Sequence, residues 1–302
     1  MKKPLLKLTT LLCLSFCIVS FAQQDFQGKA YYMSKTTMDL DQWGGREISP
    51  EQRKRIEERM KTMLEKEFVL TFNKEESVYK EEERLEAPGQ GRGWGSFSSS
   101  FTGGPKYKNV KSKQLLQDRE FFGKQFLIKD ELKGLEWKMG TETKKIGNYM
   151  CFKATATKTV DEFDWRSMRP KRGGDRATNK KEKKEGDVAD NSEKKDDNDP
   201  LSDIETPKTV EVVAWYTLQI PISQGPDDYW GLPGLILEVS ADRTTILCTK
   251  IVMNPEEKEE IEKPEKGDEV TQAEYNEIIT KKMQEMREMY GGRGGRGGRG
   301  RN

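Results

Sequence analysis

Between residues 30 and 252 the chain carries roughly eight or more short runs rich in Val, Ile, Thr, Tyr and Phe, each closed by Gly, Asn, Asp or Pro. Runs of that length are too short to stand as helices, but joined by tight turns they form an antiparallel sheet. The clearest are 68–72, 145–157, 210–217 and 235–239. Residues 241–243 turn the last of these back into a run at 244–252, which predicts a hairpin at the centre of the core. Further strands are read at 30–41, 77–80, 113–117, 121–128 and 136–139.

Only two segments follow a helical period. Ser49-Pro50-Glu51-Gln52 has the cap, first-turn proline and third-position Gln of a capping box, and Ile56, Met60, Met63 and Leu64 follow on one face. Thr271 and Glu274 form a second box, and Tyr275, Ile279, Met283, Met286 and Tyr290 continue a helix assigned to 261–290. The expected fold is mostly β with minor α: a curved antiparallel sheet or half-barrel with one or two accompanying helices. At the level of fold it is similar to the half-barrel carriers of periplasmic lipoprotein sorting.

Two stretches do not belong to such a core. Residues 86–105 are Gly- and Ser-rich, and residues 166–208 alternate Lys, Glu, Asp, Asn and Gly with almost no apolar side chain. Neither can bury enough surface to offset its ordering entropy, so both are predicted to be disordered inserts in one domain spanning 23–260. They explain a composition of 35% charged against 33% hydrophobic residues. Residues 291–302 form an Arg-Gly-Gly tail.

The N-terminus reads as an export signal. Lys2, Lys3 and Lys7 precede an apolar run at 11–21, and Ser20-Phe21-Ala22 places small residues where a signal peptidase cuts, after Ala22. The run is about 11 residues, short of the roughly 20 a spanning helix needs, and Phe16 before Cys17 departs from a lipobox. Cleavage removes three lysines and no acid, turning a formal net charge of +1 into −2. A near-neutral chain has no overall field to draw nucleic acid. The mature chain keeps Cys151 and Cys248, which in an oxidising compartment either form one disulfide or stay as buried thiols.

The chain has no histidine. Ser-His-Asp and Cys-His machinery, His-ligated metal sites and the usual general base near neutral pH are thereby removed, and two mature cysteines are too few for a Cys-rich metal site. No cofactor is implied.

The stretch 223–240 is the most distinctive. Pro233 and Gly234 suit the second and third positions of a type II turn, and the apolar run beginning at Leu235 follows as a strand. Gly231-Leu232-Pro233-Gly234-Leu235-Ile236 resembles the signature of the GLPGLI family of exported Bacteroidetes proteins. Residues 137–155, Ala214-Trp215-Tyr216-Thr217 and residues 220–226 are similar to that family's flanking blocks in order and spacing, so the resemblance covers about 25–255. It implies an exported protein of the periplasm or outer-membrane periphery, commonly encoded near TonB-dependent transporters, and supplies no catalytic residues.

Within this stretch Asp227, Asp228, Tyr229 and Trp230, with Leu232 on the following turn, are the candidate binding residues. The aromatics offer contact area, and the carboxylates a partner for a cation. The same residues also suit ordinary turn chemistry with Trp230 as a core plug. Met283, Met286 and Met289 recur at a spacing that suits Cu(I) thioether ligation or, more simply, an apolar helix face. Arg293, Arg296 and Arg299 offer contact to an anionic surface. The expected function is a non-enzymatic envelope binding or accessory protein partnered with an outer-membrane transporter. A carrier of a hydrophobic molecule and a carboxylate hydrolase are the alternatives.

Overall fold

A computed structural model describes residues 26–37, 49–82, 103–161, 164, 166–167, 169–170, 204–205, 208–257 and 259–291. Residues 1–22, expected to be a leader, most of both inserts and the tail arginines Arg293, Arg296 and Arg299 lie outside the described residues.

The elements follow in chain order. They are β1 (Gly28–Thr36), α1 (Pro50–Leu64), β2 (Glu65–Phe72), β3 (Glu76–Glu81), β4 (Lys106–Asn109), β5 (Gln114–Phe121), β6 (Lys124–Glu131) and β7 (Lys138–Ile146). There follow β8 (Tyr149–Thr159), β9 (Arg169–Pro170), β10 (Ile204–Glu205), β11 (Thr209–Thr217), β12 (Leu235–Ala241), β13 (Thr244–Met253), β14 (Asp268–Val270) and α2 (Gln272–Gly291). Twelve strands form one open sheet in the order β14-β6-β5-β4-β3-β2-β1-β13-β12-β11-β8-β7, while β9 and β10 pair separately. Every neighbour is antiparallel except β14, which runs parallel to β6.

The topology forces this sheet to curl. β6 and β7 stand ten places apart in it, which laid flat would be about 48 Å. Yet only residues 132–137 join them, a link that reaches at most about 25 Å. The two limbs must therefore approach each other, giving the open half-barrel expected from the strand pattern.

The hairpin at the turn Asp242-Arg243 forms as predicted, with β12 against β13 and β1 beside them. Leu235, Ile236 and Leu237 are wholly buried, so β12 is covered on both faces. The cover is the β11–β12 connection, residues 218–234, whose Ile220, Ile222, Tyr229 and Leu232 join the main core. It is fastened to the sheet by Leu235 N–H to Ile220 C=O (2.9 Å), Ile236 N–H to Gln224 C=O (3.1 Å) and the buried pair Ser77 Oγ to Gln224 Oε1 (2.8 Å).

Several boundaries differ from the sequence reading. The strand at 121–128 is two halves of a hairpin, because Phe122 (φ +50°) and Gly123 (φ +75°) make the left-handed turn between β5 and β6. Gly234 is not the positive-φ residue of its motif; Gly231 is, at φ +93°. Gly234 is required by space, since a Cβ there would lie 2.0 Å from the Thr217 carbonyl oxygen. The helix assigned to 261–290 starts at Gln272, behind its Thr271–Glu274 capping box. It is no separate appendage: β14 pairs with β6, and Tyr275 and Ile279 pack on Phe121, Phe126 and Ile128. Met283 joins that cluster and Met289 is exposed, so the two do not share an environment. The first capping box is present as read, with Ser49 and Gln52 exchanging bonds.

Cys151 and Cys248 are both buried free thiols with two strands between theirs. Burial pushes Cys151 up to about 11 and Cys248 up to about 12, well above a reactive thiol. Native protein spanning residues 23–302 should therefore react negligibly with a thiol reagent at pH 8 and yield two thiols per chain once denatured. An intact mass short by two protons would contradict this.

Candidate functional site

The connection 218–234 reaches both limbs of the curled sheet through buried ion pairs. Asp227 sits at φ +51°, a left-handed conformation that Asp tolerates and most residues do not. One carboxylate oxygen accepts from Lys106 on β4, the other from Arg166 Nη2 at 3.1 Å. Arg166 also donates through Nε to Asp164 at 3.1 Å. Asp228 takes both of its bonds from Lys158 on β8, each at 2.8 Å, and the same ammonium lies 4.6 Å from the centre of the Tyr229 ring. Beneath them the wholly buried Lys108 of β4 donates to the carbonyls of Gly225 (2.6 Å) and Tyr229 (3.2 Å). β4 and β8 are seven places apart in the sheet, so this one loop braces opposite walls.

Charge balance sets the protonation states. Burial alone would raise Asp227, but Lys106, Arg166 and Lys158 outweigh it and hold its carboxyl well below the usual range. Burial likewise opposes Asp228, and Lys158 again prevails. Burial dominates at Lys108 and brings it down to about 7, and at Tyr229, which rises to about 12. Both aspartates are more acidic folded than unfolded, so their stabilisation is complete above the unfolded value near 4 and is lost as pH falls through the folded values. The unfolding midpoint should drop steeply between about pH 5 and pH 2, and Asp227→Asn should flatten that slope. An unchanged slope would show that the pairing does not form.

Above this cluster the curled sheet encloses a cavity of about 1090 Å³. Its walls come from both limbs and its cover from α2, whose Gln272, Tyr275, Asn276 and Ile279 face it. The helix bridges the limbs: Tyr275 packs on Phe126 of β6 (ring centres 5.4 Å), while Asn276 Nδ2 donates to Asp161, just beyond β8, at 3.3 Å.

Of the sequence-selected residues, Asp227, Asp228 and Tyr229 line the cavity. Trp230 does not. It donates from its indole to Lys133 C=O (3.1 Å), and its own carbonyl accepts from the Trp137 indole (2.9 Å), clamping the link between β6 and β7. Leu232 is wholly buried in the main core.

Sequence reasoning missed the cations Lys106, Lys108, Lys158 and Arg166. Arg166 and Ser167 had been assigned to the disordered insert, yet Ser167 is buried and Arg166 is tied into the cluster, because its guanidinium neutralises two carboxylates. Gly103, Gly104 and Pro105 correct the other insert's boundary: Gly104 N–H bonds Asp118 C=O (2.8 Å), and Asp118 N–H bonds Pro105 C=O (3.2 Å). Among the described residues, no group of three or more acidic or cysteine side chains is placed to hold a metal ion. No helix among them is long and apolar enough to cross a membrane.

Comparison with known proteins gives a partial match to one family model and a distant structural likeness to one solved protein. A family model described as "Protein of unknown function (Porph_ging)", named for Porphyromonas gingivalis, matches residues 137–238, the segment from the β7 side of the sheet through the bracing loop into β12. No curated protein matches in sequence. Two solved structures of PNGF-II, in C2 and P21 space groups, each give a TM-score of 0.44, at 12% and 13% identity. Both align with 84% of this chain, which spans only 32% and 33% of theirs, about a third of their length.

Proposed function

We propose that the chain is a non-enzymatic binding or accessory protein of the cell envelope that takes a polar ligand, or a segment of an envelope partner, into the concavity of its curled sheet. The observation that carries this reading is the cavity of about 1090 Å³ under α2, whose floor is a set of mutually satisfied ion pairs. That volume is at the upper end of those that enclose small molecules. A general acid or base needs a carboxyl whose proton affinity lies near working pH. Asp227 and Asp228 are displaced the other way and have their oxygens occupied, which favours binding over hydrolysis.

A carrier of a hydrophobic molecule is the second reading, and the lining argues against it. Lys106, Lys158, Arg166, Asp227 and Asp228 all face the cavity, and an acyl chain laid there would desolvate them without return. The partner that fits the export signal is an outer-membrane transporter of the TonB-dependent kind, with Arg293, Arg296 and Arg299 adding contact to an anionic surface.

Crosslinking the tagged full chain in intact envelopes, with identification of both proteins and extracted lipids, tests this. The expected result is a transporter or other envelope protein crosslinked at α2 or the cavity rim, without stoichiometric lipid. One extracted acyl lipid per chain, or turnover of any substrate by purified protein, would overturn it.

A further inference from the structure

The floor of the cavity is electrically balanced yet keeps unused hydrogen-bonding capacity. Asp164, Arg166, Asp227 and Lys106 form one chain of contacts. Arg166 Nε donates to Asp164 (3.1 Å), its Nη2 to Asp227 (3.1 Å), and Lys106 donates to the other Asp227 oxygen. Asp228, next in sequence, takes both of its bonds from Lys158 at 2.8 Å. All six residues line the cavity. Three cations face three carboxylates, so this floor carries no net charge.

These bonds leave groups of both kinds over. A guanidinium has five N–H donors and an ammonium three. Arg166 commits two of its side-chain donors here and Lys106 one. Asp164 uses Oδ1 alone, for the backbone N–H and the Nε of Arg166. Each Asp228 oxygen takes a single bond although it has two lone pairs. Arg166, Asp228 and Asp164 keep 29%, 30% and 23% of their side-chain surface open. Other charges of the lining are matched too. Lys66 pairs with Glu81 (2.7 Å), while Asp130 and Asp161 accept from Gln272 N–H (2.9 Å) and Asn276 (3.3 Å) of α2.

An ionised group on a ligand meets no partner on this floor without a like charge beside it. A carboxylate brought to Arg166 would stand next to Asp164 and Asp227, and an ammonium brought to Asp228 next to Lys158. Like charges so placed cost affinity. A hydroxyl donates, accepts and carries no charge, so it fits the unused donors and acceptors and leaves the ion pairs intact. The adjoining wall suits the carbon side of such a molecule. Tyr79 is the cross-strand partner of Lys106, and Phe68 stacks on it (centres 4.7 Å, planes 10° apart), both on the lining.

We propose that the floor formed by Lys106, Lys158, Asp164, Arg166, Asp227 and Asp228 is a subsite for a neutral polyhydroxylated molecule. The inference rests on reading the cavity as the binding region and adds the chemical class of what binds there.

The test is calorimetric titration of the full chain at pH 8, above the value of about 7 to which burial brings Lys108. Sorbitol and sucrose are the neutral probes; gluconate and N-methylglucamine are the anionic and cationic counterparts of sorbitol. Both neutral probes are expected to bind, and both charged ones at least about tenfold more weakly than sorbitol, the worth of one mismatched charged contact. Arg166→Lys keeps the charge but removes unused donors. It should weaken sorbitol by about threefold to tenfold and leave the gluconate-to-sorbitol affinity ratio as it is. Asp164→Asn keeps an oxygen for Arg166 but gives the floor one net positive charge, so it should raise that ratio about tenfold. A purely structural role for Asp164 would leave the ratio unmoved.

A neutral dextran column distinguishes the sources. A chain retained there and eluted by sorbitol reads the hydroxyls of a polymer. An unretained chain that binds sorbitol or sucrose reads those of a small molecule, and either outcome supports the subsite. Charged probes that bind as tightly as sorbitol, with hydrogen-exchange protection in α2, would overturn the neutral class and spare the cavity as the binding region. No binding of either neutral probe, or a ratio in Asp164→Asn equal to the parent's, would overturn the subsite.

Discussion

Asp227→Asn is expected to lower the free energy of unfolding by about 3–5 kcal/mol, the usual cost of removing one partner from a buried ion pair. The loss is large because the substitution leaves Lys106 and Arg166 facing each other with one negative charge fewer, at a position only 6% exposed. The pair's net worth against an apolar substitute is a separate and smaller quantity. Asparagine also tolerates φ +51°, so this variant isolates the charge; Asp227→Ala should fall about 1–2 kcal/mol lower still by adding left-handed strain. Breaking the exposed pair Lys111–Glu75 is the control and should leave the unfolding midpoint nearly unchanged, because solvent screens it. Urea titration checks the series. A loss at Asp227 no larger than the control's would mean that the loop is not braced as described.

Gly234→Ala should be comparably severe, at about 3 kcal/mol or more, the upper end of overpacking costs. The added methyl would meet the Thr217 carbonyl oxygen at 2.0 Å and its carbon at 2.6 Å, and backbone at the end of β11 cannot swing aside as a side chain would. Gly231→Ala separates the two demands of the motif. Its φ of +93° imposes strain of about 1–2 kcal/mol, but the nearest atom to the new methyl is 3.8 Å away, on Trp137. If Gly231→Ala proved the worse of the two by thermal unfolding, the close approach of β11 to residue 234 would be wrong.

The strands that sequence revealed are those whose side chains announce a half-buried surface, such as Val69, Leu70 and Phe72 on β2 or Leu235 to Leu237 on β12. β4 was illegible because Lys-Tyr-Lys-Asn offers one apolar residue. Lys108 reads as a solvent-facing charge until the carbonyls of Gly225 and Tyr229 are seen to accept from it. β14 is hidden for a similar reason, with Val270 alone to mark it. The Asp227-Asp228-Tyr229 cluster could be picked out as chemistry, but its meaning lay in partners far along the chain: Lys106 is 121 residues away, Lys158 is 70 and Arg166 is 61. No local pattern carries pairings of that range. The curl of the sheet depends likewise on strand order, which the short link at 132–137 constrains only once β6 and β7 are known to stand near opposite ends.

The most direct measurement is hydrogen–deuterium exchange on the full chain, alone and with a soluble extract of the cells that produce it. The concave face as binding region requires new protection in α2 around residues 272–283 and in the cavity-lining segments of β5 and β8. Protection confined to the exposed edge strand β7, or none in α2, would contradict it.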